Sequence, residues 1–151
     1  MIGQSARLVG TTISIALLLW IARAQTFTAQ SASEAVQSEN AKGWQIPERA
    51  IDEKSPSAPT SDLLKNGRGL FKTRCQKCHG PEGKGNGPDG DKERPPADLT
   101  ASRNLDGVMF YKVWNGRKNP TMPAFKSMMT KDEIWTVIEY AKSLRKEPVS
   151  P

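Results

Sequence analysis

The residues best suited to do chemistry are the five that run Cys75-Gln76-Lys77-Cys78-His79. C-x-x-C-H is the pattern through which haem is attached covalently as a c-type cofactor. Residues three apart lie on one face of a helical turn, so both sulfurs can reach one edge of the haem, and the histidine that follows can bind the iron. The chain has no other cysteine or histidine. The sequence therefore predicts one covalently bound haem c with its iron.

Other uses of these residues need features that the chain lacks. A structural zinc site takes four Cys or His ligands, and this chain offers three at most. A thioredoxin-like redox pair lies at a strand-to-helix junction, whereas a glycine-rich loop follows here and no alternating strand runs occur. An unmodified motif, or a simple disulfide between Cys75 and Cys78, remains the plain structural alternative.

The N-terminal segment has the pattern of a secretory signal peptide. Arg7 precedes a 15-residue uncharged stretch over 8–22, and Ala22-Arg23-Ala24 is a small-x-small cleavage site. The stretch is shorter than the ~20 apolar residues that span a bilayer, which makes an uncleaved membrane anchor the lesser alternative. We therefore predict a signal peptide over 1–24 and a periplasmic mature protein.

Composition divides the mature chain into a tail and one small domain. Residues 25–60 are rich in Ser, Ala, Gln, Glu and Pro and show little periodicity, which predicts a low-complexity tail or linker. Trp44 within it either packs on the domain or is an ordinary exposed aromatic. The domain covers 61–147, and a short C-terminal tail covers 148–151. Because 87 residues supply only a small apolar core, a buried haem would add the stabilisation that this domain needs.

Two of three predicted helices flank the C-x-x-C-H run. The first is capped by Thr60 or Ser61 and leads into Cys75. The second covers 107–115, which is largely apolar, and Gly116 is placed to end it.

The third predicted helix has the clearest start. Thr130 and Glu133 form a capping box, with Met129 and Ile134 placed as the hydrophobic staple around it. Its apolar face is Ile134, Val137, Ile138, Ala141 and Leu144. No stretch shows sustained strand alternation, so we predict an all-α fold with three main helices and long ordered loops.

These features resemble the monohaem class I cytochromes c, especially the cytochrome c domains of haem–copper oxidase subunits and periplasmic dehydrogenases in respiratory electron transfer. The likeness covers residues 61–144. It rests on the runs Gly67-Arg-Gly-Leu-Phe71, Gly80-Pro-Glu-Gly-Lys-Gly85, Pro95-Pro-Ala-Asp-Leu-Thr100, Met122-Pro-Ala-Phe125 and Asp132-Glu-Ile-Trp135, together with C-x-x-C-H. The resemblance implies the class I cytochrome c fold, in which the first and last helices cross with Gly67 and Phe71 against the face around Tyr140.

The second axial ligand of the iron is restricted by composition. With His79 the only histidine, ligation by two histidines of this chain is impossible, which leaves Met, Lys, Tyr, a backbone group, water or nothing. Met109 lies in a helical apolar pattern and Met129 at the staple position, so core packing is expected for both. Met128 has no assigned task but adjoins the same helix start.

Met122 is the methionine best placed to bind iron. It lies in a loop between Pro120 and Pro123, whose restricted backbone would hold a thioether at one point. The Met-Pro motif of the resembled family also falls on Met122. By the same resemblance, a proline carbonyl near Pro95 or Pro96 accepts a hydrogen bond from the ring of His79.

Ligation by His79 and Met122 predicts an electron carrier and not an enzyme. A thioether favours Fe(II) and raises the reduction potential, and two strong ligands leave no open position for a substrate. Two alternatives remain open. One is an enzyme in which Met122 does not bind iron and peroxide or a diatomic gas does. The other is a dedicated electron-accepting subunit of a larger dehydrogenase, reductase or oxidase complex, held by the Trp44 region.

The charge distribution predicts protein partners. Residues 61–147 hold 17 Lys and Arg against 11 Asp and Glu, a net charge of +6, whereas residues 25–60 carry a net charge of −2. An exported haem domain has no evident nucleic-acid partner, and the glycine runs lack the Lys-Ser/Thr of a phosphate-binding loop. We expect redox protein partners with an acidic docking surface, or a membrane oxidase or dehydrogenase, and no small-molecule substrate. The candidate docking lysines are Lys72, Lys77, Lys84, Lys118 and Lys126.

Overall fold

The computed structural model describes residues 30–119 and 121–145. The predictions for 1–24, Pro120 and 148–151 lie outside these residues. Within them the fold is all-α, as predicted, and no helix is both long and apolar enough to cross a membrane. The elements are α1 (30–41), a 3-10 helix (Glu48–Ile51), α2 (Ser61–Arg74), α3 (Gln76–His79), α4 (Asp106–Asn115) and α5 (Lys131–Ser143).

The caps of α2 and α5 are those that the sequence predicts. The Thr60 hydroxyl accepts a hydrogen bond from the backbone N–H of Leu63 at 3.2 Å. At α5 the Thr130 hydroxyl accepts from the N–H of Glu133 at 3.2 Å, and the Glu133 carboxylate accepts from the N–H of Thr130 at 2.8 Å. Both caps satisfy backbone donors that the first turn of a helix leaves without partners.

Helices α2 and α5 cross at a buried glycine, which confirms the crossing that the resemblance implies. A Cβ atom on Gly67 would lie 2.5 Å from the carbonyl oxygen of Thr136 and 2.7 Å from Cβ of Tyr140. One turn further along α2, the Phe71 and Tyr140 rings pack with their centroids 5.4 Å apart. The absence of a side chain at Gly67 thus sets how closely the two backbones approach.

We expect Gly67→Ala to lower the free energy of unfolding by about 2 kcal/mol, because the added methyl group meets the backbone of α5. Gly69→Ala is the matched control, since Gly69 lies in the same helix and its added Cβ would have no atom within 4 Å. That control should gain about 0.5–1 kcal/mol from helix propensity alone. Urea unfolding of both variants measures the difference, and equal effects would contradict the close-approach argument.

Helix α4 connects two apolar cores. Met109 and Phe110 join the main core, where Phe110 stacks on Trp135 with ring centroids 4.5 Å apart. The preceding residue, Val108, belongs to a second core. The helix ends at Gly116, whose φ of +59° is in the left-handed region that favours glycine.

The N-terminal segment departs from the prediction of a low-complexity tail. Residues 30–41 are helical, and the second core is formed by Val36, Ile46 and Ala50 packed with Val108 of α4. Trp44 is half-buried against this core. The prediction was wrong over this part because the apolar residues are few and irregularly spaced, and they bury themselves only by contact with a distant helix.

Candidate haem-binding site

The C-x-x-C-H run forms a single tight turn directly after α2. Cys75 follows the last residue of α2, and α3 is the four-residue turn that ends at His79. The backbone N–H groups of Cys78 and His79 both donate to the carbonyl of Cys75, at 3.2 and 2.9 Å. Residues 75–79 therefore occupy a single helical turn, as the spacing predicts.

The pKa of the Cys75 thiol is raised, unlike that of a redox-active cysteine. Both are unpaired and half-buried. Burial, with a smaller contribution from Cys78, raises the pKa of the Cys75 thiol to about 12. Redox-active and nucleophilic thiols instead have lowered pKa values. Within the described residues, no group of three or more His, Cys, Asp and Glu side chains is placed to hold a metal ion.

The imidazole of His79 is oriented by a backbone carbonyl. Its Nδ1 atom lies 3.2 Å from the carbonyl oxygen of Ala97, so a proton on Nδ1 is donated there and the Nε2 lone pair remains for a metal. Burial lowers the pKa of His79 and outweighs the opposing effect of the Ala97 hydrogen bond. A neutral ring with a fixed tautomer is the form that binds iron.

The acceptor is not the proline carbonyl that the resemblance implied. It belongs to Ala97, the residue after Pro96. A nearby hydrogen bond fixes how this segment lies against the glycine-rich loop: the N–H of Leu99 donates to the carbonyl of Gly83 at 2.7 Å. No pattern in the sequence indicates this residue, because a backbone carbonyl is present at every position.

The glycine-rich loop folds back over α3. The N–H groups of Gly85 and Gly87 donate to the carbonyls of His79 and Cys78 at 2.8 and 3.0 Å. A Cβ atom on Gly87 would lie 2.2 Å from the carbonyl oxygen of Lys77, so only glycine permits this approach. The loop therefore satisfies the last carbonyls of the turn.

Met122 lies at the edge of the main core, as does Cys75. Its backbone forms an antiparallel bridge with Arg117, in which each N–H donates to the other's carbonyl at 2.9 Å. Beyond Met122, the N–H of Phe125 donates to the carbonyl of Val113 at 3.0 Å. The loop is thus tied at Met122 itself and again three residues later.

The other methionines of the described residues have different environments. Met109 and Met129 are buried in the main core, as predicted, and the Sδ atom of Met109 lies 3.1 Å from Nη2 of Arg145. Met128 is 44% exposed. Of these methionines, only Met122 combines partial exposure with contact to the main core.

The residues present fit a haem c. Two unpaired thiols lie one turn apart, and the neutral His79 keeps Nε2 free of the hydrogen bond that orients its ring. Half-buried apolar side chains pack against the main core, and residues of this kind typically line cofactor sites. They are Leu70, Leu99, Val113, Trp114, Met122, Tyr140 and Leu144.

All five candidate docking lysines are exposed. Lys84 is partly neutralised, because its ammonium lies 2.5 Å from the carboxylate of Glu82.

Comparison with known proteins places these features in a family. A family model described as cytochrome c oxidase, cbb3-type, subunit III matches residues 62–140. A chain of the Kuenenia stuttgartiensis reducing HAO-like protein complex is structurally similar, with a TM-score of 0.52 and 30% identity. The match covers 60% of this chain and 47% of that one, so this chain spans about half the length of that relative. No curated protein sequence matches. The chain therefore belongs to the cbb3-type cytochrome c oxidase subunit III family, and its domain is a class I cytochrome c with covalently bound haem c.

Proposed function

We propose that this protein is a periplasmic carrier of single electrons whose haem iron is held by His79 and Met122. A cytochrome c domain is an electron carrier and is not itself catalytic. The observation that carries the finer proposal is the orientation of His79 by the Ala97 carbonyl, which leaves one ring nitrogen for the iron.

The residues have separate tasks in this proposal. Haem c supplies a reversible one-electron couple at its iron. Cys75 and Cys78 attach it, and His79 binds on one side with its ring held by Ala97. A Met122 thioether on the other side would favour Fe(II), raise the potential and leave no position for a substrate. Support for Met122 comes from its tethered loop and its contact with the core that Cys75 also borders.

The proposed location and partners rest on sequence and charge. The signal-peptide pattern over 1–24 supports export, and covalent attachment of haem is compatible with it. Exposed Lys72, Lys77, Lys118 and Lys126 favour transient docking to acidic surfaces of redox proteins. Electrostatic attraction of this kind speeds encounter and weakens as ionic strength rises.

A second candidate is a dedicated electron-transferring subunit of a larger complex. Both comparisons favour it, since the family model is named for an oxidase subunit and the similar solved chain comes from a protein complex. Sedimentation of a periplasmic extract from the native host, followed by haem staining, separates the two candidates. A haem band at the size of the free chain supports the carrier, and a band only in a larger species supports the subunit.

The test of the proposed ligation is an absorption spectrum of the matured protein, oxidised and dithionite-reduced. We expect the weak sulfur-to-iron band at the red edge of the oxidised spectrum, and no change when carbon monoxide is added to the reduced form. Absence of the band together with ready binding of carbon monoxide would overturn the proposal. That outcome would direct attention to peroxide or diatomic-gas chemistry at an open iron.

A further inference from the structure

The N-terminal segment contacts Arg117, the residue whose backbone is bridged to Met122. The side chain of Arg117 donates from Nη1 to the carbonyl of Lys42 at 2.8 Å. The guanidinium carbon of Arg117 also lies 4.4 Å from the centroid of the Trp44 ring. Two independent contacts therefore connect residues 42–44 to a position some seventy residues later in the chain.

The Trp44 ring is itself held in place. Asn40 clamps the backbone of Ile46, donating to its carbonyl at 3.0 Å and accepting from its N–H at 2.7 Å. Between them, Gly43 has a φ of +88°, a conformation that glycine adopts without strain. The chain thereby turns back after α1 and presents Trp44 toward α4 and Arg117.

A second cation holds the same ring from α4. The ammonium of Lys112 lies 5.0 Å from the Trp44 centroid and also pairs with the carboxylate of Glu39 from α1. This ion pair has little exposed side-chain surface, so solvent screens it weakly. Burial opposes ionisation of Glu39, but hydrogen bonds from Lys112 and Lys42 outweigh it and lower the pKa of the carboxyl. Glu39 therefore stays charged at neutral pH.

The contacts made by Arg117 are linked to Met122 through the backbone bridge between the two residues. Residues 117 and 122 exchange a pair of backbone hydrogen bonds at 2.9 Å, so restraining one backbone restrains the other. The Nε atom of Arg117 is buried and has no hydrogen-bond partner among the described residues. The guanidinium itself contacts the Trp44 ring and the Lys42 carbonyl.

We propose that Trp44 and Arg117 are positioning residues for Met122, through which the N-terminal segment keeps the methionine ligand on the iron. The inference rests on the proposed ligation by Met122. It assigns residues 30–51 a role in the ligation of the haem iron, in addition to their packing on the domain. Contact between an aromatic face and a partly desolvated cation stabilises a structure by roughly 1–2 kcal/mol, which corresponds to about a tenfold change in an equilibrium constant.

The experiment compares cyanide binding to the oxidised, haem-loaded full chain in wild type, Trp44→Ala and Trp44→Phe. Cyanide must displace the methionine, so its affinity reports how firmly Met122 is held. We expect Trp44→Ala to increase cyanide affinity by about tenfold, the effect of losing the cation–π contact with Arg117, which is bridged to Met122. It should also weaken the sulfur-to-iron band. Trp44→Phe keeps a ring face and should recover most of both signals.

Val36→Ala is the matched control. It removes apolar volume from the same second core but leaves the ring beside Arg117 in place. Unchanged cyanide affinity in a folded Trp44→Ala variant would overturn the inference, as would an equal increase in Val36→Ala, which would indicate general loosening. If the wild type itself lacks the sulfur-to-iron band, the proposed ligation fails first and the positioning role fails with it. All three variants replace one uncharged side chain with another, so the net charge of the protein is the same throughout the comparison.

Discussion

Replacing both cysteines, as Cys75→Ala with Cys78→Ala, is expected to abolish covalent haem attachment. The chain contains no other cysteine, so no thioether bond can form. In cells that mature c-type cytochromes, the wild type should keep its haem after denaturation and the double variant should keep none. Haem staining of a denaturing gel measures this directly. Each single variant retains one thiol and should retain haem in reduced yield.

The same double variant should also fold poorly. The domain is small, and several apolar side chains that border its core are half-buried, including Leu70, Leu99 and Trp114. A haem covers such apolar surface and supplies the additional stabilisation that a domain of this size needs. Lys77→Ala, a change between the two cysteines at an exposed side chain, is the control and should leave haem content unaltered. Full haem content in the double variant would contradict attachment through the C-x-x-C-H turn.

Met122→Ala is expected to open the iron and lower its reduction potential. Axial ligand identity sets haem potentials over a range of roughly 0.8 V, so losing a thioether should lower the potential by on the order of 0.1 V or more. Carbon monoxide should then bind the reduced protein, and the sulfur-to-iron band should disappear. Redox titration and carbon monoxide difference spectra measure the two effects.

Met128→Ala is the matched control for this substitution. Met128 is the exposed methionine next to α5, and its removal should leave both the potential and the spectrum unchanged. If Met122→Ala leaves them unchanged instead, another residue is the ligand. A shift in Met128→Ala with none in Met122→Ala would transfer the role to Met128.

Features governed by local chemistry could be predicted from the sequence. The capping box of α5 depends only on Thr130 and Glu133, three residues apart, and the structure contains both of its hydrogen bonds. The C-x-x-C-H turn is likewise local, because a single helical turn brings its members together. The crossing at Gly67 could be anticipated only through resemblance, since the residues of α5 that contact it lie far away in sequence.

The part of the fold that could not be predicted depends on distant partners. Val36, Ile46 and Ala50 have no periodic spacing, and their burial requires Val108 of α4. The contact between Trp44 and Arg117 joins residues that share no motif. The position of Met122 as an iron ligand stays a prediction.

The sequence by itself determined the chemistry of this protein, because a cysteine pair with an adjoining histidine acts within a single turn. It also determined the starts of α2 and α5, whose caps are satisfied by neighbouring residues. Only the tertiary structure decided which carbonyl orients His79 and which residues brace the Met122 loop. A backbone acceptor such as Ala97 carries no side-chain signature, and a cation and an aromatic ring become partners only when folding brings them together.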